Sequence, residues 1–142
     1  MTIITQSAKE TRKFAAELAK KLIKKSGKKA LIIALEGELG TGKTTFIKGF
    51  SKVLGIREKV LSPTFVLIHR HHLKSGDLYH VDAYRLKSEK DLLKLNIKKI
   101  FNNPKNIVLI EWADRVKKVI PKTAIWIHFD HISKEGRKII IK

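Results

Sequence analysis

Apolar residues recur along the chain with two different spacings, and these spacings predict an alternation of helices and strands. From about Ser7 to Lys25 the apolar side chains fall three or four residues apart, as on one face of a helix, and Gly27 supplies a stop. The helix opens with "SAKE", which has the form of a capping box. A continuous aliphatic run, Leu31 to Glu36, predicts a central parallel strand buried on both faces. The segment from Lys43 to Leu54 predicts a second helix.

The second half of the chain predicts two antiparallel pairs of strands and one more buried strand. "TFVLIHRHHL" and "DLYHVDAYRL" are typical of strands joined by the turn "KSGD", and "TAIWIHFDHI" and "RKIIIK" predict a closing hairpin around "SKEG". "NIVLIEW" (Asn106 to Trp112) predicts the buried strand, and "SEKDLLKLNIKKIF" a short capped helical stretch before it. We therefore expect an α/β fold in one domain, 1–142, because 142 residues are enough to bury one hydrophobic core but too few for two independent domains.

A phosphate-binding motif lies between the first predicted strand and the second predicted helix. In "GELGTGKTTF" the spacing of Gly37, Gly42, Lys43 and Thr44 satisfies G-x-x-x-x-G-K-[ST] in the context that the motif requires. Glycine permits conformations in which consecutive N–H groups point at phosphate oxygens. We expect Lys43 to reach the β- and γ-phosphates of a nucleoside triphosphate and the Thr44 hydroxyl to bind Mg²⁺. The predicted nucleotide-binding residues of this loop are Glu38, Leu39, Gly40, Thr41, Gly42, Lys43, Thr44 and Thr45.

A triphosphate site also needs a carboxylate near the metal, and the ends of buried strands are the places to expect one. Glu111 ends "IVLIE", and Asp82 lies on the "YHVDAY" strand. Either carboxylate could hold Mg²⁺, directly or through water, or orient the attacking water. Asp82 could instead pair with Arg85 on the surface. A purely structural role is a weaker alternative for Glu111, since an unpaired carboxylate at the end of a buried strand is costly in free energy.

The strongly basic composition points to polyanions as a second class of ligand. The chain has 31 basic and 13 acidic side chains, a formal net charge of +18, which attracts polyanions such as RNA through a salt-dependent field. Only six of the basic residues are Arg, however, so a solvated Lys-rich surface is an equal alternative. The sequence has no cysteine and no apolar run long enough to span a bilayer, so we expect a cytoplasmic protein without a membrane partner.

Four motifs together resemble the TsaE family, the ATPase component of bacterial tRNA threonylcarbamoyladenosine synthesis. They are "GELGTGKTTF", "SPTF" (Ser62 to Phe65), "LYHVDAYRL" (Leu78 to Leu86) and "IEW" (Ile110 to Trp112), with "EGR" near the end of the chain. The resemblance implies a P-loop NTPase-like three-layer fold, with parallel central strands flanked by antiparallel ones. It also implies an ATPase that uses Mg²⁺ and assists the TsaD and TsaB proteins as they transfer a threonylcarbamoyl group to adenosine 37 of tRNA.

The resemblance assigns roles to further residues. Ser62, Pro63 and Thr64 correspond to a first switch, Glu111 to the Mg²⁺ carboxylate and Asp82 to a catalytic or metal-linked acid. Trp112 is implied to lie beside the nucleotide and the partner surface, and Arg137 near ATP. The chain departs from the family pattern at Glu38, at Ala113 and in the basic stretch "LNIKKIF".

Two other functions fit the P-loop alone. A small-molecule kinase would need an acceptor pocket and a basic lid, and no cluster of Arg residues lies between the P-loop and Glu111. A tRNA-binding or assembly module switched by ATP would depend on the positive charge more than on Glu111, and its tRNA binding would weaken steeply with salt.

Overall fold

The structure, a computed structural model, describes residues 1–25, 27–38, 40–56 and 68–142. Within these ranges the chain alternates between strands and helices. The strands are β1 (Thr2–Thr5), β2 (Leu31–Glu36), β3 (Ile68–His72), β4 (Asp77–Asp82), β5 (Ile107–Glu111), β6 (Ile125–His131) and β7 (Arg137–Ile141). The helices are α1 (Ala8–Ile23), α2 (Lys43–Val53), α3 (Glu89–Leu93) and α4 (Ile97–Phe101), with a 3₁₀ turn over Ala113–Val116. None of these helices is long and apolar enough to cross a membrane.

All seven strands form one sheet, in the order β1-β7-β6-β2-β5-β4-β3. The four central strands β6, β2, β5 and β4 run parallel to one another, while β3 and β7 pair antiparallel with their neighbours. The predicted parallel centre and both predicted hairpins are therefore confirmed. The first residues of the first hairpin, 64–67, lie outside the described residues.

Helices cover both faces of the sheet, which gives three layers. On one face, Ile33 and Leu35 of β2 share a core with residues of α1 and α2 such as Ala19 and Phe46. On the other face, Ile32 and Ala34 share a core with α3, α4 and the 3₁₀ turn. Because alternate residues of β2 enter both cores, the strand has to be apolar throughout.

Two features of the helices refine the predictions. The predicted capping box forms in half, since Ser7 Oγ accepts a hydrogen bond from the Glu10 amide at 3.2 Å while the Glu10 carboxylate accepts from the Gln6 amide. The predicted helical stretch from Ser88 to Phe101 is divided into α3 and α4, because Asn96 adopts a left-handed conformation with φ 58° and the backbone cannot continue one helix through it. The edge strand β1 was not predicted; its partner is β7, which follows it by more than 130 residues.

Candidate nucleotide-binding site

The P-loop connects the carboxyl end of β2 to the first residue of α2, as the motif predicts. Gly37 has φ 139°, and a Cβ atom there would lie 2.6 Å from the carbonyl oxygen of Phe129. Gly42 has φ 101° and immediately precedes α2. Both positions therefore exclude ordinary side chains. Since Gly42 has no side chain to cap α2, the first N–H groups of the helix stay available for a phosphate.

Lys43 is folded into this loop. Its Nζ donates hydrogen bonds to the carbonyl oxygens of Gly37 and, at 3.2 Å, of Glu38, and it lies 3.8 Å from the ring centroid of Trp112. Burial lowers the pKa of the Lys43 ammonium, and nearby carboxylates, Glu111 foremost, oppose that shift. A partly desolvated cation whose direct contacts are carbonyl oxygens and an aromatic face gains from an anionic phosphate.

The two predicted carboxylates are neighbours. Asp82 and Glu111 end the parallel strands β4 and β5 and occupy directly opposed positions in the pairing register. Both carboxylates act on the pKa of Lys43. Asp82 also accepts a hydrogen bond from the Tyr84 amide at 2.9 Å, so it closes a turn at the end of β4.

The residues present fit Mg²⁺ together with a nucleotide. Among the described residues no group of three or more His, Asp or Glu side chains is placed to hold a metal. Mg²⁺ is commonly held by one or two carboxylates, waters and the phosphates of the substrate. Thr44, which is exposed at the first turn of α2, would supply a hydroxyl, and Glu111 and Asp82 the carboxylates.

His80 is a site residue that the sequence reasoning missed. Its Nε2 lies 2.7 Å from Glu111 Oε2, and both side chains are at most 5% exposed. No described group hydrogen-bonds to its Nδ1, which is also buried. His80 therefore holds Oε2 of the Glu111 carboxylate in place, and Oε1 stays available to the candidate site.

An aromatic and cationic stack extends from Lys43 to the surface. Trp112 follows Glu111 in a left-handed conformation with φ 56°, which turns its ring over the Lys43 ammonium. The Tyr84 ring lies 4.9 Å from the Trp112 ring, and the Arg115 guanidinium lies 4.9 Å from the Tyr84 ring. Arg115 is further held by a 2.7 Å hydrogen bond to the Tyr84 carbonyl oxygen. Because Tyr84 and Arg115 are exposed, the stack joins the P-loop to the protein surface.

Arg137 lies against the P-loop. It donates hydrogen bonds to the carbonyl oxygens of Gly40, at 3.1 Å, and of Gly136, at 2.8 Å. Together with Thr45, Gly42 and Thr11 it lines a small cavity of about 80 Å³ beside the start of α2. A larger cleft of about 820 Å³ opens on the other side of the loop, bordered by Glu38, Trp112, Asp114 and His131.

The comparison with known proteins decides the family. Residues 5–139 match the family model described as "Threonylcarbamoyl adenosine biosynthesis protein TsaE". The chain belongs to the TsaE family. The resemblance found in the sequence motifs is therefore confirmed, and with it a place in tRNA threonylcarbamoyladenosine biosynthesis.

Curated relatives named as tRNA threonylcarbamoyladenosine biosynthesis protein TsaE agree over most of the chain. The Haemophilus influenzae protein is 33% identical over 84% of this chain and 75% of its own. The Treponema pallidum protein is 30% identical over 99% of both chains. The crystal structure of YdiB from Bacillus subtilis superposes with a TM-score of 0.75 at 28% identity, covering 98% of this chain and 82% of that one. The P-loop fold expected for the TsaE family is thus confirmed.

Most residues assigned through the TsaE resemblance converge at one end of the sheet. Lys43, Trp112, Asp82 and Glu111 form one connected group, and Arg137 reaches the loop from the other side. Glu38 takes part through its carbonyl oxygen, which accepts from Lys43 and, at 2.6 Å, from the Thr41 hydroxyl. Leu39 and the first-switch residues Ser62, Pro63 and Thr64 lie outside the described residues. His80 could have been suspected from its place two residues before Asp82, but its partner follows only from the strand register.

Proposed function

We propose that this chain is a Mg²⁺-dependent ATPase that supports tRNA threonylcarbamoyladenosine formation by TsaD and TsaB, with ATP hydrolysis enabling repeated turnover. The observation that carries the proposal is the group formed by Lys43, Asp82 and Glu111, in which a partly desolvated ammonium lies among two strand-end carboxylates. Such a site can hold a triphosphate and its metal at once.

Each residue then has a distinct task. Lys43 binds the β- and γ-phosphates in place of its present carbonyl acceptors, and Thr44 and Glu111 hold the metal. The metal, when bound, neutralises charge that develops on the phosphates. Asp82 would orient the attacking water or help to hold the metal through water, since it pairs with Glu111 in the register of the adjacent strands.

We propose that the partners complete the site. Besides Lys43, Arg137 is the described cation that hydrogen-bonds to the P-loop, and its guanidinium already donates to backbone carbonyl oxygens. Transition-state charge on the phosphates is therefore poorly compensated, and we expect slow hydrolysis by the isolated chain. Trp112 is the residue best placed to couple the site to a docked protein, because it contacts both Lys43 and the exposed Tyr84.

The test is multiple-turnover threonylcarbamoylation of tRNA by TsaD and TsaB with the wild-type chain or with Glu111→Gln, Asp82→Ala or Trp112→Ala. We expect all three variants to fail to sustain turnover. Glu111→Gln and Asp82→Ala should lose hydrolysis more than ATP binding, and Trp112→Ala should lose partner stimulation while ATP affinity stays close to that of the wild type.

A second outcome would favour a different class of function. If Glu111→Gln abolished hydrolysis yet sustained turnover as long as ATP was bound, ATP would act as an assembly switch instead of a fuel. If all three variants sustained turnover as well as the wild type, the site would have no role in energy coupling.

A further inference from the structure

The acidic residues of the chain are unevenly divided between the two ends of the sheet. At the carboxyl ends of the parallel strands the carboxylates of Glu36, Asp82 and Glu111 surround the P-loop. The loops at the amino ends of the same strands are rich in lysine. They contain no carboxylate, and Asp77, the first residue of β4, is paired with Arg70 at 2.8 Å.

Six exposed lysines define this second surface, which we call the basic edge. They precede the parallel strands β2, β4, β5 and β6, whose amino ends lie on one side of the sheet because the strands are parallel. The basic edge consists of Lys25, Lys28, Lys29, Lys74, Lys105 and Lys122, all of them exposed.

Contacts between the loops make the basic edge one continuous surface. The Ala30 amide donates to the carbonyl oxygen of Phe101 at 2.9 Å, and the Leu31 amide to that of Asn106 at 3.1 Å. The turn at Gly76 is packed so closely on Lys105 that a Cβ atom there would overlap the Lys105 carbonyl group. These contacts join the backbone segments that carry Lys29, Lys74 and Lys105.

A cleft lies in the middle of the basic edge. Its volume is about 460 Å³, and Lys25, Lys28 and Lys29 line it together with Pro104 and Thr123. Lys105 and Lys122 are each the sequence neighbour of a lining residue. Three cations thus line one concave surface, and two more adjoin its lining residues in the sequence.

We propose that the basic edge binds the phosphate backbone of tRNA. Lysine is a compact point charge that suits phosphate contacts without reading bases. With neighbouring strands about 4.8 Å apart, the four parallel strands spread the lysines over roughly 14 Å, enough for several phosphates. The choice of RNA as the polyanion rests on the proposed function in tRNA modification.

A membrane surface fits this surface less well than RNA does. Surface binding to lipid combines basic residues with aromatic or large apolar side chains that enter the interface. The loops that carry the basic edge, residues 24–30, 73–76, 102–106 and 117–124, contain no Phe, Tyr or Trp, and their large apolar residues Leu73, Val119 and Ile120 are partly or fully buried.

The position of the basic edge also separates RNA from ATP. The strand β2 has six residues, so its two ends lie about 20 Å apart. RNA phosphates on the basic edge therefore do not compete with a triphosphate for Lys43. Both ligands can be bound at the same time.

Two variants with equal net charge test the proposal. The edge variant combines Lys28→Gln, Lys29→Gln, Lys105→Gln and Lys122→Gln. The control variant removes four exposed lysines elsewhere, on α1 and near α3. These substitutions are Lys9→Gln, Lys13→Gln, Lys87→Gln and Lys90→Gln.

Binding to a tRNA transcript is measured by fluorescence anisotropy from about 0.05 to 0.3 M salt, with and without ATP. We expect the edge variant to lose at least about tenfold in affinity at 0.15 M salt and to flatten the salt slope by about one for each phosphate contact removed. The control variant should stay within about twofold of the wild type. Added ATP should not displace the tRNA.

Three results would overturn the inference. Equal losses in the two variants would mean that binding follows net charge alone. Displacement of tRNA by ATP would place the RNA at the P-loop. Binding of the wild type to vesicles with phosphatidylserine, but not to tRNA, would assign the surface to a membrane.

The same variants separate this inference from the proposed function. ATP affinity is measured by calorimetry, and turnover with TsaD and TsaB is assayed alongside. A wild-type chain that bound tRNA through the basic edge but never supported turnover would refute only the proposed function. A chain that supported turnover while the edge variant bound tRNA normally would refute only the basic edge.

Discussion

Replacing His80 with leucine should weaken metal binding at the candidate site, because it removes the buried hydrogen-bond partner of Glu111. In the wild type, His80 Nε2 hydrogen-bonds to Glu111 Oε2 at 2.7 Å, and Glu111 is only 4% exposed. In His80→Leu the Glu111 carboxylate keeps its burial but loses this partner. Breaking a buried pair on one side typically costs about 3 kcal/mol or more, because the buried carboxylate loses its hydrogen-bond partner.

Two measurements follow from that magnitude. For a chain of this size, a loss of about 3 kcal/mol lowers the melting temperature by roughly 6 to 12 °C. Loss of the group that orients a metal carboxylate typically lowers metal affinity about 10- to 100-fold. We therefore expect His80→Leu to bind ATP in the presence of Mg²⁺ more weakly than the wild type, with a smaller difference in excess chelator.

Controls distinguish this role from general disruption. His80→Gln retains a donor and should recover part of both losses. His72→Leu replaces an exposed histidine of β3, whose partner Asp77 keeps Arg70, and should change stability by less than about 0.5 kcal/mol. The decisive comparison is a double-mutant cycle with Glu111→Leu, because removing both partners together should cost less than the sum of the single changes. Additive losses, or unchanged metal dependence in His80→Leu, would refute the argument.

Four further outcomes are expected. Lys43→Ala should abolish tight ATP binding in a calorimetric titration, whereas unchanged affinity would remove the P-loop lysine from the mechanism. Thr44→Ala should weaken nucleotide binding mainly when Mg²⁺ is present, and an equal loss with chelator would contradict a metal-binding hydroxyl. Because burial lowers the pKa of Lys43, the folded state binds fewer protons there than the unfolded chain, so this residue's contribution to stability should rise as pH rises through its folded pKa. ¹³C NMR of the lysine side chains should find a lowered titration that is absent in Lys43→Arg and moved upward by bound ATP, and a spectrum without it would contradict the reasoning. Gly49→Ala should destabilise the fold by about 1 to 3 kcal/mol in urea despite alanine's better helix propensity, since a Cβ atom there would lie 2.4 Å from the Arg12 carbonyl oxygen; a stabilised variant would show that α1 and α2 can separate at little cost.

The sequence predicts the centre of this fold well because its central strands are buried on both faces. The short aliphatic runs of β2 and β5 are typical of core strands, and the glycine spacing after β2 identifies the loop that leads into α2. The edge strand β1 has only four residues, three of them not fully buried, so no periodicity marks it. Its existence depends on a partner at the other end of the chain.

In the candidate site, too, residues placed by a local motif are predictable from the sequence, and residues placed by the pairing of distant strands are not. Lys43 and Thr44 are predictable because their positions depend on a local motif. The contact between His80 and Glu111 depends on which residues of β4 and β5 oppose each other, and a shift of one residue would turn each side chain to the other face. Trp112 reaches Lys43 only through its left-handed backbone, for which its sequence carries no glycine or asparagine signal.

The hydrogen bond from Arg137 to the Gly40 carbonyl oxygen joins residues 97 positions apart, and this separation sets the time at which the P-loop acquires its full surroundings. During translation at about 5 to 20 residues per second, roughly 5 to 20 s pass between synthesis of the loop and synthesis of the arginine that lies against it. Both neighbours of the central strand β2 in the sheet, β5 and β6, are also synthesised after it. A ribosome-bound or truncated chain that ends before β7 therefore carries the whole phosphate-binding motif without the packing that shapes it, so ATP binding should mark the nearly finished chain and not the appearance of the motif.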